Sequence, residues 1–195
     1  MDYLARLLEA MPAHKIEKIR ALCDPKSTLY KFTDEPTRFA RDAIAHCQRL
    51  GLYDIAPLSI LDLGCGPGYF ITAAQHAGHE TVGLNAHDQV IDRFRGMFPN
   101  LRIIWNEITP GVPLPDVGRI DLVTAMGLNL CHGKHWWTQD EYQGLLDDLL
   151  PRLNDGGRIN FHVNHGKETD WVCNTSLWKW PGKMWSIDNV IQWSI

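Results

Sequence analysis

The run Ile60-Leu61-Asp62-Leu63-Gly64-Cys65-Gly66-Pro67-Gly68-Tyr69-Phe70 constrains the fold more than any other stretch of the chain. Its first half is apolar, too short for a helix and bounded by glycine, so it reads as a buried strand. Its second half is a glycine-rich turn, after which Tyr69 to Ala77 reads as a helix ended by Gly78. Glycine at 64, 66 and 68 lets the backbone turn sharply and come close to a ligand, with a helix N-terminus aimed at it. A lone G-x-G-x-G carries little weight. This one follows a strand, opens a helix and has Asp62 two residues upstream, which makes it a much stronger signal.

From residue 58 onward the pattern alternates between strand and helix. Strand 58–63 and helix 69–77 are followed by strand Glu80–Leu84 and helix 88–97, with Val90, Ile91, Phe94 and Met97 turned inward. Strand 101–105 leads into a long loop marked by Pro110, Pro113 and Pro115. Strand Ile120–Met126 precedes a helix from about 139 to 153, opened by the capping box Thr138-Gln139-Asp140-Glu141. Leu145, Leu146, Leu149, Leu150 and Leu153 form its core stripe, and Pro151 kinks or shortens its last turn. Asn154-Asp155-Gly156-Gly157 then turns into strand Arg158–Val163. Such alternation predicts right-handed crossovers and a mostly parallel sheet covered on both faces. The tail differs: Lys183–Ile187 and Val190–Ile195 flank Asp188-Asn189, the pattern of a two-residue hairpin.

Before residue 58 the chain is helical. Leu4, Leu7, Leu8 and Met11 share one face, Pro12 interrupts or restarts the helix, and Ile16, Ile19 and Leu22-Cys23 continue it. Residues 26–33 read as a loop carrying Tyr30 and Phe32. A third helix then starts at Thr33 or Asp34, with Pro36 in its first turn, turns Phe39, Ala40, Ala43, Ile44 and Cys47 inward, and stops at Leu50-Gly51. Residues 1–57 are therefore either a packing layer or a lid over a ligand that Tyr30 and Phe32 touch, and 58–195 form the core of one compact domain. The fold class is α/β: a doubly wound, Rossmann-like, mostly parallel sheet with N-terminal helices and a C-terminal antiparallel hairpin.

Composition narrows the setting. The 195 residues suffice for one full sheet with helices on both faces, and no apolar run approaches a membrane span. Arg6 and Glu9 break any signal-peptide pattern at the N-terminus. A net charge of -4 with scattered basic residues argues against nucleic acid as a partner. Cys23, Cys47, Cys65, Cys131 and Cys173 are odd in number and widely spaced, which is neither a disulfide framework nor a zinc knuckle; a reducing cytoplasm is the expected location.

Asp62-Leu63-Gly64-Cys65-Gly66-Pro67-Gly68 resembles the first motif of the class I S-adenosylmethionine-dependent methyltransferases, and the loop Gly127–Trp137, with Gly133-Lys134 near an aromatic pair, is similar to that of their small stand-alone bacterial members. Val82-Gly83-Leu84-Asn85 sits where the second strand of that family ends, and Asp121-Leu122-Val123-Thr124-Ala125 resembles its fourth. The run from Leu149 to Ile159, with its Gly156-Gly157 turn, resembles the helix, turn and fifth strand. A dinucleotide dehydrogenase normally has the wider G-x-G-x-x-G spacing. The resemblance implies S-adenosyl-L-methionine as cofactor, held by Asp62, Gly64, Cys65, Gly66, Gly68 and Tyr69 at its methionine and sugar, and by Asn85 and Ala86 at its ribose. It implies an adenine site at Trp105, Asn106 and Glu107, with Ala125 and Met126 flanking the sulfonium. The family usually has Asp or Glu where this chain has Asn85; a neutral amide loses a charge-assisted bond, a deficit on the order of 1 kcal/mol. Asp88, three residues on, is either a substitute or the cap of the next helix.

Methyl transfer is an in-line displacement in which positioning supplies much of the rate, so a dedicated base is optional. His132 and His135 follow the fourth strand and His162 ends the fifth, near His165 and Cys131; any of these imidazoles could take a proton from an acceptor. The alternatives are ordinary core or surface histidines and a metal site, but the spacings match no standard zinc pattern, so no metal is expected. Tyr30 and Trp136 are candidate acceptor contacts, whereas Trp171, Trp178, Trp180 and Trp185 read as packing or a subunit contact, which leaves a homodimer open. The expected activity is methylation of an oxygen or nitrogen on a small molecule, a sugar or secondary metabolite, with no nucleic-acid or membrane partner. The rival reading is a cofactor-binding or scaffolding relative without turnover.

Overall fold

The computed structural model describes residues 3–98, 100–128, 130–132, 135–163, 183–187 and 190–194. Four helices come first: α1 (Tyr3–Glu9), α2 (Ala13–Arg20), α3 (Thr28–Asp34) and α4 (Pro36–Arg49). Two expectations change here. Residues 28–34 are not loop but helix, because the Ser27 side chain accepts from the Tyr30 amide (3.2 Å) and supplies an N-cap that the sequence reading passed over. That helix runs on through Thr33 and Asp34, so neither caps α4; Glu35 does, without a side-chain bond, and Pro36 occupies the first turn.

The alternating part follows as β1 (Ser59–Leu63), α5 (Tyr69–His76), β2 (Glu80–Asn85), α6 (Gln89–Arg95), β3 (Arg102–Trp105) and β4 (Ile120–Leu128). A two-residue ribbon, β5 (Cys131–His132) with β6 (His135–Trp136), occupies what the sequence suggested was plain loop. Then come α7 (Gln139–Leu149), a 3-10 turn over Leu150–Arg152, and β7 (Leu153–Val163). The capping box of α7 is complete, and Pro151 does shorten its end into the 3-10 turn. β7 begins earlier than expected. Leu153 pairs with Ile120 and Arg158 with Leu122, so five residues face two and the Asn154–Gly157 stretch bulges out. Gly156 takes φ 74°, and a Cβ on Gly157 would lie 2.8 Å from the Asn154 carbonyl oxygen, which is why that bulge takes two glycines.

The sheet order is β3-β2-β1-β4-β7, all parallel, with β1 central. β8 (Lys183–Ile187) and β9 (Val190–Ser194) extend it, β9 antiparallel to β7 and β8 antiparallel to β9; residues 188–189 between them lie outside the described residues. Strand alternation splits the core in two. Ile60 and Leu122 face a layer made by α1, α2, α4, α5 and α6, with Leu7, Cys47, Ile71 and Phe94 fully buried. Leu61, Leu63 and Val123 face the other layer, under Leu145, Leu146 and Leu149 of α7. Helices on both faces of a parallel sheet leave the carboxyl ends of the central strands as the place for a site.

Candidate functional site

The glycine turn lies at the carboxyl end of β1. Gly64, Gly66 and Gly68 take φ of 68°, 52° and 89°, the left-handed region open to glycine. Their geometry is closed off from behind: a Cβ on Gly68 would sit 2.5 Å from Leu101 Cδ1, and one on Gly83 of β2 would overlap the Cys65 sulfur. The turn is pinned to β2 by the Cys65 amide donating to the Leu84 carbonyl (3.0 Å) and the Gly66 amide donating to Asn85 Oδ1 (3.1 Å). The Thr72 hydroxyl donates to the Gly68 carbonyl at 2.7 Å, fixing the start of α5. Burial pushes the Cys65 thiol well up, so it is a packing group and not a thiolate.

Asp62 precedes the turn and is 2% exposed. Its Oδ1 accepts from the Thr124 hydroxyl at 2.7 Å, and burial outweighs that bond, raising the carboxyl to about 7. Asp62, Thr124 and Asn160 are register partners across β1, β4 and β7 and form one buried polar row on the face toward α4. His162 and Met126 are paired one step further along β7 and β4 on the same face.

Asn85, expected at the ribose, is engaged at both ends of its amide. Its Oδ1 accepts from Gly66 and its Nδ2 donates to the Ala86 carbonyl (2.7 Å), so both ends of the amide hold the turn and its own strand end. Ala86 is exposed beside it. Asp88 is a cap: its Oδ1 accepts from the amides of Val90 (2.7 Å) and Ile91 (3.1 Å) at the start of α6. Trp105 is half-buried at the end of β3, in register with Asn85 and edge-on to His87 with ring centroids 5.2 Å apart. The Asn106 amide donates to the Asn85 carbonyl (2.9 Å) and its side chain to the Glu107 carbonyl (3.1 Å); the Glu107 side chain is exposed. These groups form one rim, next to the glycine turn.

A cleft of about 550 Å³ opens over the turn. One wall is the sheet side: Asp62, Gly64 to Pro67, Tyr69, Met126 and His162. The other is helical: Phe32 of α3 and Arg38, Phe39, Asp42 and Arg49 of α4. The Phe32 and Phe39 rings meet tilted at 55° with centroids 4.5 Å apart, Tyr69 donates its hydroxyl to the Phe32 carbonyl (3.0 Å), and a Cβ on Gly66 would lie 3.8 Å from Phe32. Of the two aromatics expected to touch a ligand, Phe32 reaches the cleft, whereas Tyr30 is half-buried in α3 and is not among the lining residues. Ala125 also departs from expectation. Alternation turns it into the opposite core layer with Phe161, leaving Met126 alone of that pair beside the cleft.

Of the three candidate bases, His162 lines the cleft. For His132 and His135 the strands β5 and β6 are placed, in register with each other, but their side chains are outside the described residues, as is that of Cys131. Trp136 is half-buried on β6, and the adjacent Trp137 is buried edge-on against Tyr142. His165, Cys173, Trp171, Trp178 and Trp180 lie outside the described residues, and for Trp185 only the strand is placed. Among the described residues no three metal-ligating side chains cluster, and no helix is long and apolar enough to cross a membrane.

The sequence reading missed His46. It is 2% exposed on α4, edge-on to Phe70 at 5.3 Å, and it accepts the Arg49 guanidinium on Nδ1 at 3.1 Å. Burial first, then Arg49 and His162, lower it to about 4, so it is neutral. Its place was legible: Phe39, Ala43, His46 and Leu50 follow the helical spacing of the inward face.

A family model described as a methyltransferase domain matches residues 60–157. Among solved structures the chain resembles DesVI of Streptomyces venezuelae at 19% identity and a TM-score of 0.53, covering 67% of this chain and 53% of that one. SAM-bound CalS10 of Micromonospora echinaspora, an amino pentose methyltransferase, matches at 19% identity and a TM-score of 0.52, over 67% of this chain and 52% of that one. A TehB-like SAM-dependent methyltransferase of Corynebacterium glutamicum matches at 18% identity and 0.51, over 68% and 71%. The match thus spans about half the length of the first two, and at these identities it establishes the shared fold. No curated protein matches the chain.

Proposed function

The chain belongs to the methyltransferase domain family, and on that premise we propose that it transfers a methyl group from S-adenosylmethionine to an oxygen or nitrogen of a small polar acceptor. The observation that carries this reading is the convergence of the left-handed glycine turn, Met126 and His162 on one cleft. The fit to the cofactor rests on that turn: its three glycines hold left-handed backbone, and Gly64 and Gly66 line the cleft without side chains, which suits close approach of a large ligand.

Gly64 to Gly68 and Asp62 would hold the methionine and sugar side, with Trp105, Asn106 and Glu107 beside the adenine. S-adenosylmethionine when bound supplies an activated methyl carbon. What remains for the protein is to orient an acceptor and manage one proton. Asp62, half-protonated near neutral pH by its burial, keeps the floor of the cleft close to neutral and polar. Met126 offers an unhydrated wall, and His162 stands where an imidazole could accept the proton of an acceptor hydroxyl or ammonium. Phe32 and Phe39 close the opposite side and exclude water, so α3 and α4 act as the lid. The fold likeness to an amino pentose methyltransferase makes sugars the first acceptors to try.

Calorimetry with S-adenosylmethionine and S-adenosylhomocysteine tests the cofactor half, with micromolar binding expected; absence of binding to both would overturn the proposal. A product-release assay on His162→Ala tests the base. A fall in kcat of about a hundredfold or more is expected, from the usual range of acid–base contributions. An unchanged pH–rate profile would remove His162 from that role.

A further inference from the structure

The helical wall of the cleft carries two arginines in very different electrostatic states. Arg38 is matched: it bonds Glu35 at 2.6 Å and lies 3.8 Å from Asp42. Arg49 also lines the cleft, but among the described residues it has no carboxylate partner; its guanidinium donates to a neutral imidazole. His46 lends Nδ1 as an acceptor without lending negative charge, since it is buried among apolar groups. With Nδ1 accepting, its proton sits on Nε2, which is buried and has no hydrogen-bond partner among the described residues. An orphaned buried donor is costly, and it persists here beside a guanidinium that the same ring orients. Arg49 is itself exposed, so it is the bond to the buried ring that gives its guanidinium a fixed direction, which the non-directional attraction of a terminal arginine to the helix dipole would not supply.

We infer that Arg49 is a specificity residue that pairs with a carboxylate on the acceptor, and that His46 is the positioning residue which holds the guanidinium toward the cleft. The inference rests on the methyltransferase reading above and narrows it to acidic acceptors such as hydroxy acids, amino acids and uronic acids. The geometry suits the class. Arg49 keeps most of its donor fork for a planar oxyanion, Phe32 and Phe39 flank the route to it, and Met126 and His162 stand on the facing wall for the reactive end. Asp42, seven residues earlier on the same helix and also on the cleft, lies 3.8 Å from the Arg38 guanidinium, which leaves the charge of Arg49 for the ligand.

The test is binding of matched pairs to the full chain saturated with S-adenosylhomocysteine: a panel of small hydroxy acids, amino acids and glucuronate, each beside its primary amide. At least one acid should bind about tenfold or more tightly than its amide, as expected for a charge-assisted bond. Arg49→Gln should abolish that preference while leaving the affinity for S-adenosylhomocysteine within about twofold, and Arg49→Lys should restore part of it. His46→Leu, which keeps the apolar packing of the ring but removes the acceptor, should lower the preference several-fold. If no acid is preferred to its amide while S-adenosylhomocysteine binds, or if Arg49→Gln leaves the preference intact, the inference is wrong. If S-adenosylhomocysteine itself does not bind, it is the methyltransferase reading that fails; an acid preference measured on the unliganded chain would still stand for Arg49.

Discussion

The two walls of the cleft are built on opposite plans. The sheet wall is backbone: three left-handed glycines, their amides, and side chains such as Asp62 and Thr124 that bond mainly to one another. The helical wall is side chains: Phe32, Phe39, Arg38 and Arg49, half-buried or exposed, on helices that could carry other residues without altering the sheet. A wall made of main chain can change little without losing the fold, whereas a wall made of side chains can be respecified freely. That difference teaches where to look for each half of the chemistry: the invariant ligand against the glycines, the particular acceptor against the helices.

The largest expected break comes at the sheet wall. Gly68→Ala places a Cβ against Leu101 in a left-handed conformation, and should cost about 2–4 kcal/mol in urea unfolding by summing the backbone and overpacking penalties. It should also remove measurable cofactor binding; a variant of wild-type stability would show that the turn is looser than its contacts imply. Next is Asn85→Ala, which strips the Gly66 amide of its acceptor. Affinity for S-adenosylhomocysteine should fall about five- to thirtyfold, equivalent to ~1–2 kcal/mol for one lost hydrogen bond. An unchanged affinity would mean that Asn85 organises its strand end and not the turn.

Two buried titrating groups, one on each wall, sharpen the contrast through pH. Asp62 is raised from 3.8 to about 7 in the folded chain, so the folded state holds an extra proton between those values and loses stability as pH rises through them. His46 is lowered from 6.5 to about 4, so the unfolded state holds the extra proton and stability is lost as pH falls from 6.5 toward 4. The two slopes oppose each other over the shared window. Asp62→Asn should therefore make stability rise more steeply with pH than wild type between about pH 4.5 and about pH 6.5, and His46→Gln should make it fall. Urea midpoints at the two pH values decide it, and parallel profiles would refute both assignments. The smallest effect belongs to the exposed ion pairs of the helical wall. Arg38→Ala removes exposed pairs with Glu35 and Asp42 and a contact over the Phe39 ring, and should leave the thermal midpoint close to that of wild type.

Legibility in the sequence followed the same division. The run from Ile60 to Phe70 was readable because main-chain geometry demands glycine at fixed spacing, and periodicity placed the strands from Glu80 to Val163 with small errors at their ends. The Asn154–Gly157 bulge was legible as a turn, but its absorption into β7 depends on pairing with Ile120, which local sequence does not encode. α3 was misread because two aromatics outweighed a one-residue cap at Ser27. The bond from the Gly66 amide to Asn85 was not legible, because it depends on how two loops meet. Ala125 was misplaced by a single step of strand alternation. Arg49 and His46 were invisible as a site because a cation and an imidazole in a helix's last turn are ordinary end residues until burial and a partner are known.

The bond from Thr124 to Asp62 joins strands sixty-two residues apart, and a second bond of the same span ties the Ser59 amide to Asp121 at the other end of that seam. β1 can meet β2 early, since a short helix alone separates them, but it meets β4 only after a long loop has closed against its entropy. Contacts of such span are formed late in a folding chain and set its pace. Asp62 therefore acquires its buried partner, and the cleft its floor, in the step that zips the centre of the sheet. Ligand competence should appear with the slowest folding phase, so the rate at which a refolding chain regains cofactor binding reports on the closure of β1 against β4.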